Sequence, residues 1–282
     1  PNNIIPELVV NAPQLRGCAP HTVDFYNNTK GASTFYYNFG DGGSAITSSA
    51  PEMIAHTFTK PGTYVVTLYT SNDCSTNFTT ETIVVLEQPT VAFTADKTVG
   101  CSGTVVKFTN NSKNAVSYLW DFGDGTTSNQ FEPEHTYTGN NVNYTVTLTA
   151  TNIQGCKNVS VLPNYIQLVA PPQSNFTVLP GNELSIPNYT FNFRDASINV
   201  AGSWEWSFGD GSKSTLQNPT HTYSNVGEYM VTLKIINKEG CTATSTQMVR
   251  VIGVPGTLHV PNSFMPASAK NELRTFKAKG RG

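Results

Sequence analysis

Charge is scarce in this sequence. Asp, Glu, Lys and Arg together make up 13% of the 282 residues, and the formal net charge is −2. From Lys270 onward five basic residues (Lys270, Arg274, Lys277, Lys279, Arg281) and one acid (Glu272) give +4, so the residues before them carry −6. An acidic body offers nothing to a phosphate backbone, which argues against a nucleic-acid partner. No apolar run is long enough to span a bilayer. No initiator Met or signal peptide is present, so the chain reads as a mature fragment whose targeting signals lie outside it. No stretch has amphipathic helical periodicity. A nucleophile elbow, a phosphate loop, a zinc-protease helix and a flanking pair of acids are all absent, and enzymatic activity is not expected.

What is present is a phrase said three times: Phe39-Gly40-Asp41-Gly42, Phe122-Gly123-Asp124-Gly125 and Phe208-Gly209-Asp210-Gly211, 83 and 86 residues apart. That spacing is the period of a small domain. Each copy closes a run with an aromatic at every second residue: Phe35, Tyr37, Phe39, then Tyr118, Trp120, Phe122, then Trp204, Trp206, Phe208. Period two puts these rings on one face of a strand, and aromatics on one face predict a core. Gly-Asp-Gly then supplies the positive φ and the backbone-capping carboxylate that a sharp reversal needs.

The same alternation returns in Tyr64, Val66, Leu68, in Tyr144, Val146, Leu148 and in Tyr229, Val231, Leu233. In the first repeat the expected strands are Leu8 to Val10, Val23 to Tyr26, Thr34 to Phe39, His56 to Phe58, Tyr64 to Leu68 and Thr80 to Leu86. About seven short strands per repeat, with turn signals between them, predict an all-β, two-sheet antiparallel sandwich. The expected division is an upstream linker at 1–5, modules at 6–87, 88–169 and 170–253, and a linker with the opening of a further β domain at 254–282. Short Pro-containing links suggest a stiff, rod-like array.

Four of the five cysteines stand at matching places: Cys18 and Cys74 in the first repeat, Cys101 and Cys156 in the second, 56 and 55 residues apart. Such pairing predicts Cys18–Cys74 and Cys101–Cys156 disulfides and an oxidising, extracytoplasmic location. The third repeat keeps only Cys241, expected as a free thiol or paired outside the fragment. Without a staple the third module is expected to unfold first.

The run Trp120 to Gly125, with Pro133-Glu134-His135-Thr136-Tyr137 and Tyr144 to Thr149, resembles the PKD domain, an immunoglobulin-like module. The third copy, with Pro219 to Tyr223 and Tyr229 to Leu233, is as close. The first departs from it, with Tyr37 in place of tryptophan and a longer loop before His56. The resemblance implies an extracellular β-sandwich and no enzymatic activity. Residues 259–266, His-Val-Pro-Asn-Ser-Phe-Met-Pro, are similar to the opening of the gliding-motility-associated C-terminal domain of Bacteroidota, a type B sorting signal for type IX secretion. That resemblance makes Pro261, Asn262, Phe264 and Pro266 sorting-motif residues, with Ala267-Ser268-Ala269-Lys270 replacing the usual Asn-Gly-Asp-Gly.

Asp41, Asp124 and Asp210 are expected as structural turn residues. The alternative, calcium ligands, needs six to eight oxygens, and the EF-hand alternation of acids is missing. No other cofactor is implied. His56, His135 and His221 occupy equal places in all three repeats, which suits a structural role tying a loop to the sheet. Tyr36 and Tyr26 are the candidates for exposed contacts. The expected function is a non-catalytic stalk of a large secreted surface protein, an adhesin of the gliding-motility type, engaging type IX secretion or surface machinery through its C-terminal region. The alternative is an accessory module of a secreted hydrolase, with a polysaccharide or protein ligand and an exposed aromatic stripe on at least one module.

Overall fold

A computed structural model of the chain describes residues 3–43, 46–48, 53–185, 189–200 and 202–253, with backbone only for 46–48. By internal contacts the chain forms two compact units. The first is Pro1–Gln173 with Asn199–Gly202 and Ile236–Ala243; the second is Ser174–Ile198, Ser203–Ile235 and Thr244–Gly282. The sorting-motif residues Pro261, Asn262, Phe264 and Pro266 lie outside the described residues.

Among the described residues the first repeat has eight strands: β1 (Leu8–Val10), β2 (Arg16–Cys18), β3 (His21–Asn27), β4 (Thr34–Asn38), β5 (Ile46–Ser48), β6 (Met53–Phe58), β7 (Gly62–Ser71) and β8 (Thr76–Leu86). They form a three-stranded sheet, β1-β3-β6, and a five-stranded sheet, β2-β8-β7-β4-β5. The second repeat copies this with β9 (Phe93–Ala95), β10 (Val99–Gly100), β11 (Thr104–Asn110), β12 (Ser117–Asp121), β13 (Thr127–Ser128), β14 (Glu134–Tyr137), β15 (Val142–Thr151) and β16 (Lys157–Leu168), in sheets β14-β11-β9 and β10-β16-β15-β12-β13. The third uses β17 (Phe176–Leu179), β18 (Glu183–Ser185), β19 (Thr190–Asp195), β20 (Ser203–Ser207), β21 (Lys213–Ser214), β22 (Thr220–Thr222), β23 (Gly227–Ile236) and β24 (Thr242–Ile252), in sheets β17-β19-β22 and β18-β24-β23-β20-β21.

The chain is thus all-β, built of immunoglobulin-like sandwiches. Two details depart from the sequence reading. Each five-stranded sheet carries one parallel pair, β2 with β8, β10 with β16 and β18 with β24, because the chain crosses from one sheet to the other before running beside the last strand. These edge strands are two or three residues long, too short for any alternation to reveal them.

The aromatic strands face inward as their period requires. Tyr37 and Trp120 have no exposed surface and Trp206 only 1%, and each sits with the phenylalanine that precedes Gly-Asp-Gly. Around them the first repeat packs Val23, Phe25, Phe58, Val66, Leu68 and Ile83, and the second Val106, Phe108, Tyr137, Val146, Leu148 and Ile166. Both fully buried tryptophans keep their polar atom satisfied. Trp120 Nε1 donates to Gln130 O at 2.9 Å and Trp206 Nε1 to Leu216 O at 2.8 Å, which is what permits full burial of an indole.

Candidate functional site

Each Gly-Asp-Gly turn holds the same cluster. One oxygen of the aspartate caps the turn it belongs to: Asp41 Oδ1 accepts the Gly43 N–H at 3.0 Å, Asp124 Oδ1 the Thr126 N–H at 3.0 Å and Asp210 Oδ1 the Ser212 N–H at 2.9 Å. The other oxygen meets a histidine from the neighbouring sheet. His56, His135 and His221 Nε2 each lie 2.7 Å from Oδ2 of Asp41, Asp124 and Asp210. The imidazoles stack on the turn phenylalanines, His56 on Phe39 with centroids 3.8 Å apart, His135 on Phe122 and His221 on Phe208 at 4.2 Å. Their edges meet Phe58, Tyr137 and Tyr223. Tyr137 Oη donates to Phe122 O at 3.2 Å, and Tyr223 Oη to Phe208 O at 2.7 Å.

Burial alone would raise each aspartate. In Asp41 the Gly43 amide and His56 outweigh it, in Asp124 Thr126 and His135, and in Asp210 the Ser212 amide and His221, so all three carboxyls lie below the usual range. Burial pushes the Tyr137 and Tyr223 hydroxyls up. The cluster fastens one sheet to the other. Both oxygens of each carboxylate are engaged within it, and it lacks an unengaged nucleophile. The sequence placed Asp and His separately; that they meet was hidden because 15 residues separate them in the first repeat and 11 in the others.

The disulfides correct the expected pairing. Cys18 is bonded to Cys156 and Cys101 to Cys241, while Cys74 is an exposed free thiol. The expected Cys18–Cys74 and Cys101–Cys156 bonds fail for a geometric reason. Cys18 lies beside Leu86 at the end of β8, whereas Cys74 precedes Thr76 at its start. Ten residues of strand, roughly 33 Å, separate those two ends. The second repeat is alike, with Gly100 beside Leu168 and Cys156 preceding Lys157. The recurrence of paired cysteines does reflect contact, but between successive repeats. Cys241, expected to be free, is the buried partner of Cys101, so the third repeat is not the unstapled one.

A third feature is an exposed aromatic row on the first repeat. Tyr36 of β4, Tyr69 of β7 and Phe78 of β8 are register partners on the outer face, with centroids 5.8 and 6.0 Å apart. They are 43, 46 and 59% exposed, too open to be core. They line a groove of about 570 Å³ together with Thr34, Ser71 and Thr76. Tyr26, the other candidate for an exposed contact, is half-buried on β3.

The PKD domain model matches residues 7–85, and a second PKD domain model matches 86–163 and 170–251. The chain belongs to the PKD domain family. Among similar proteins, a microbial collagenase of Vibrio alginolyticus is 46% identical over 56 residues, 20% of this chain and 7% of the collagenase. Collagenase ColA of Clostridium perfringens is 30% identical over 80 residues, 28% of this chain and 7% of its own length. The chain therefore spans only a small part of the curated relatives it matches. Among solved structures, the PKD1 domain from Vibrio cholerae metalloprotease PrtV is 27% identical, with a TM-score of 0.25, covering 29% of this chain and 96% of that domain. PKD domains are non-catalytic modules, and the two disulfides fit a secreted protein.

Proposed function

We propose that this chain is the covalently stapled stalk of a large secreted cell-surface adhesin, with no catalytic activity of its own. The observation that supports this is the pattern of disulfides. Each joins the end of the short edge strand of one PKD module, at Cys18 or just past it at Cys101, to a turn between strands of the next, so they resist separation of modules as well as unfolding within one. A protein selected only to keep single domains folded would gain as much from bonds inside each domain.

The adhesin and export parts of the proposal draw on the similarity of residues 259–266 to a type IX sorting domain. Type IX secretion or surface machinery would then engage the C-terminal region, and gliding motility is the narrower form of the same reading. Deleting residues 254 onward together with the rest of that domain should abolish secretion of the parent protein. Unaffected secretion would refute the export part.

The aromatic row favours a second reading, an accessory carbohydrate-binding role within a secreted hydrolase. Flat rings stack on the apolar face of a pyranose, and the threonine and serine hydroxyls beside them supply hydrogen bonds. The corresponding outer positions of the second module are Leu119, Thr149 and Val159, which offer no ring. Retention on insoluble chitin or cellulose, lost in a Tyr36→Ala, Tyr69→Ala, Phe78→Ala variant with unchanged thermal unfolding, is the expected result. No retention of the unaltered chain on any glycan of a broad panel would remove the reading.

A further inference from the structure

One turn recurs in all three modules: Asn72–Ser75, Asn152–Cys156 and Asn237–Cys241. In each, the asparagine Oδ1 accepts the backbone N–H of the cysteine, at 2.9 Å for Cys74, 2.9 Å for Cys156 and 2.8 Å for Cys241. In the second and third modules the cysteine so presented is bonded to the module before it, to Cys18 and Cys101. Both of those donors follow a glycine on the short parallel edge strand, Gly17 in β2 and Gly100 in β10. The first turn is one residue shorter, and its cysteine follows the asparagine by two positions instead of four. Asn72 donates its N–H to Ser75 O where Asn152 and Asn237 donate to the cysteine's own carbonyl, which leaves Cys74 at the exposed tip.

An independent observation concerns the incoming chain. In the second module, the backbone arriving from the first passes beside this turn: Asn152 Nδ2 donates to Glu87 O at 2.7 Å and Asn158 Nδ2 to Pro89 O at 2.9 Å. In the first module Asn77 Nδ2 likewise donates to Ile4 O, at 3.3 Å. The strand that leaves the Cys74 turn is therefore met by the preceding stretch of polypeptide as the second module's is, while Asn72 Nδ2 itself donates to Gly31 O, within its own module, at 2.6 Å.

We propose that Cys74 receives a third staple, from a cysteine on a further module N-terminal to Pro1 in the parent protein, placed after a glycine as Cys18 and Cys101 are. The inference rests on the stalk reading and extends it. The bond forms by thiol–disulfide exchange with a protein disulfide oxidant. The two cysteine thiols lose two protons and two electrons to form one S–S bond, and the oxidant's S–S bond is reduced to two thiols.

The test is disulfide mapping of the full secreted protein, alkylated without reduction, digested and analysed by mass spectrometry. A Cys74 peptide linked to a peptide from upstream of Pro1, with no alkylation at Cys74, is the expected result. A Cys74→Ser variant of the full protein should then expose one new alkylatable thiol upstream. Alkylated Cys74 in the unaltered protein, or Cys74 linked to a second copy or to a small thiol, would overturn the proposal. The Cys18–Cys156 and Cys101–Cys241 peptides are internal controls. Their absence would sink the stalk reading itself, whereas their presence beside a free Cys74 would sink only the third staple.

Discussion

Cys101 and Cys241 are bonded across 140 positions of sequence with their Cα atoms 5.5 Å apart, and Cys18 and Cys156 are bonded across 138. The two spans overlap between Cys101 and Cys156. Interlocked loops of this kind tie each PKD module to its neighbour while leaving each sandwich to fold around its own aromatic core. The design separates two tasks, since the Asp–His clusters and aromatic cores hold each module together and the sulfurs hold the series.

Removing the histidine from one cluster should destabilise its module. His221→Ala deletes the hydrogen bond to Asp210 and the ring stacked on Phe208, and the site is largely covered, so a loss of about 1–3 kcal/mol is expected. Urea unfolding followed by tryptophan fluorescence measures it. An unchanged midpoint would mean the cluster contributes nothing to stability.

The same clusters set an acid dependence. Asp41, Asp124 and Asp210 have carboxyls held below their usual range in the folded state. Their contribution is fully present above the unfolded carboxylate value of about 4 and is lost as pH falls through the lower folded value. Urea midpoints should therefore decline from pH 5 toward pH 2, and Asp124→Asn should flatten that decline. An equally steep decline in the variant would assign the acid sensitivity to other groups.

Tyr223→Phe removes only the hydroxyl that donates to Phe208 O at 2.7 Å in a buried site, and a cost of about 1–2 kcal/mol is expected. The first module already carries Phe58 at that place, stacked on Tyr64, so it shows what the third would become. A neutral Tyr223→Phe change in thermal unfolding would show that the hydrogen bond adds nothing to packing.

The two glycines of one turn should respond unequally. Gly209 has φ +85°, and a Cβ there would come within 2.8 Å of Met230 O; Gly211 has φ +93° with nothing within 4 Å. Both alanine variants strain the backbone by about 1–2 kcal/mol, but only Gly209→Ala also forces the hairpin off its neighbour strand. Equal losses in the two variants would contradict the close approach.

Much of the fold could be read from the sequence because its signals are local. Period-two aromatics ending in Gly-Asp-Gly, and Tyr-x-Val-x-Leu strands, specify a buried face within five or six residues. The edge strands Arg16–Cys18 and Val99–Gly100 could not be read, since strands so short carry no periodicity. The partners of Asp41 and His56 were each visible as a repeated residue, but their meeting depends on how the two sheets face each other. The cysteines misled for a related reason. Repetition indicates that two positions touch something constant, and inside one module Cys18 and Cys74 lie at opposite ends of β8. The row of Tyr36, Tyr69 and Phe78 was half visible, because Tyr36 falls on the outward face, while Phe78 joins it only through the register of β7 with β8.

The interlocked staples set a length that can be measured. Only 55 residues separate Cys101 from Cys156, and with both disulfides formed that segment is the shortest covalent path from Cys18 to Cys241. Single-molecule pulling on the chain ends should extend this region by no more than about 200 Å, against about 800 Å for its 223 residues after reduction. An oxidised chain that extends as far as the reduced one would contradict the stapled stalk.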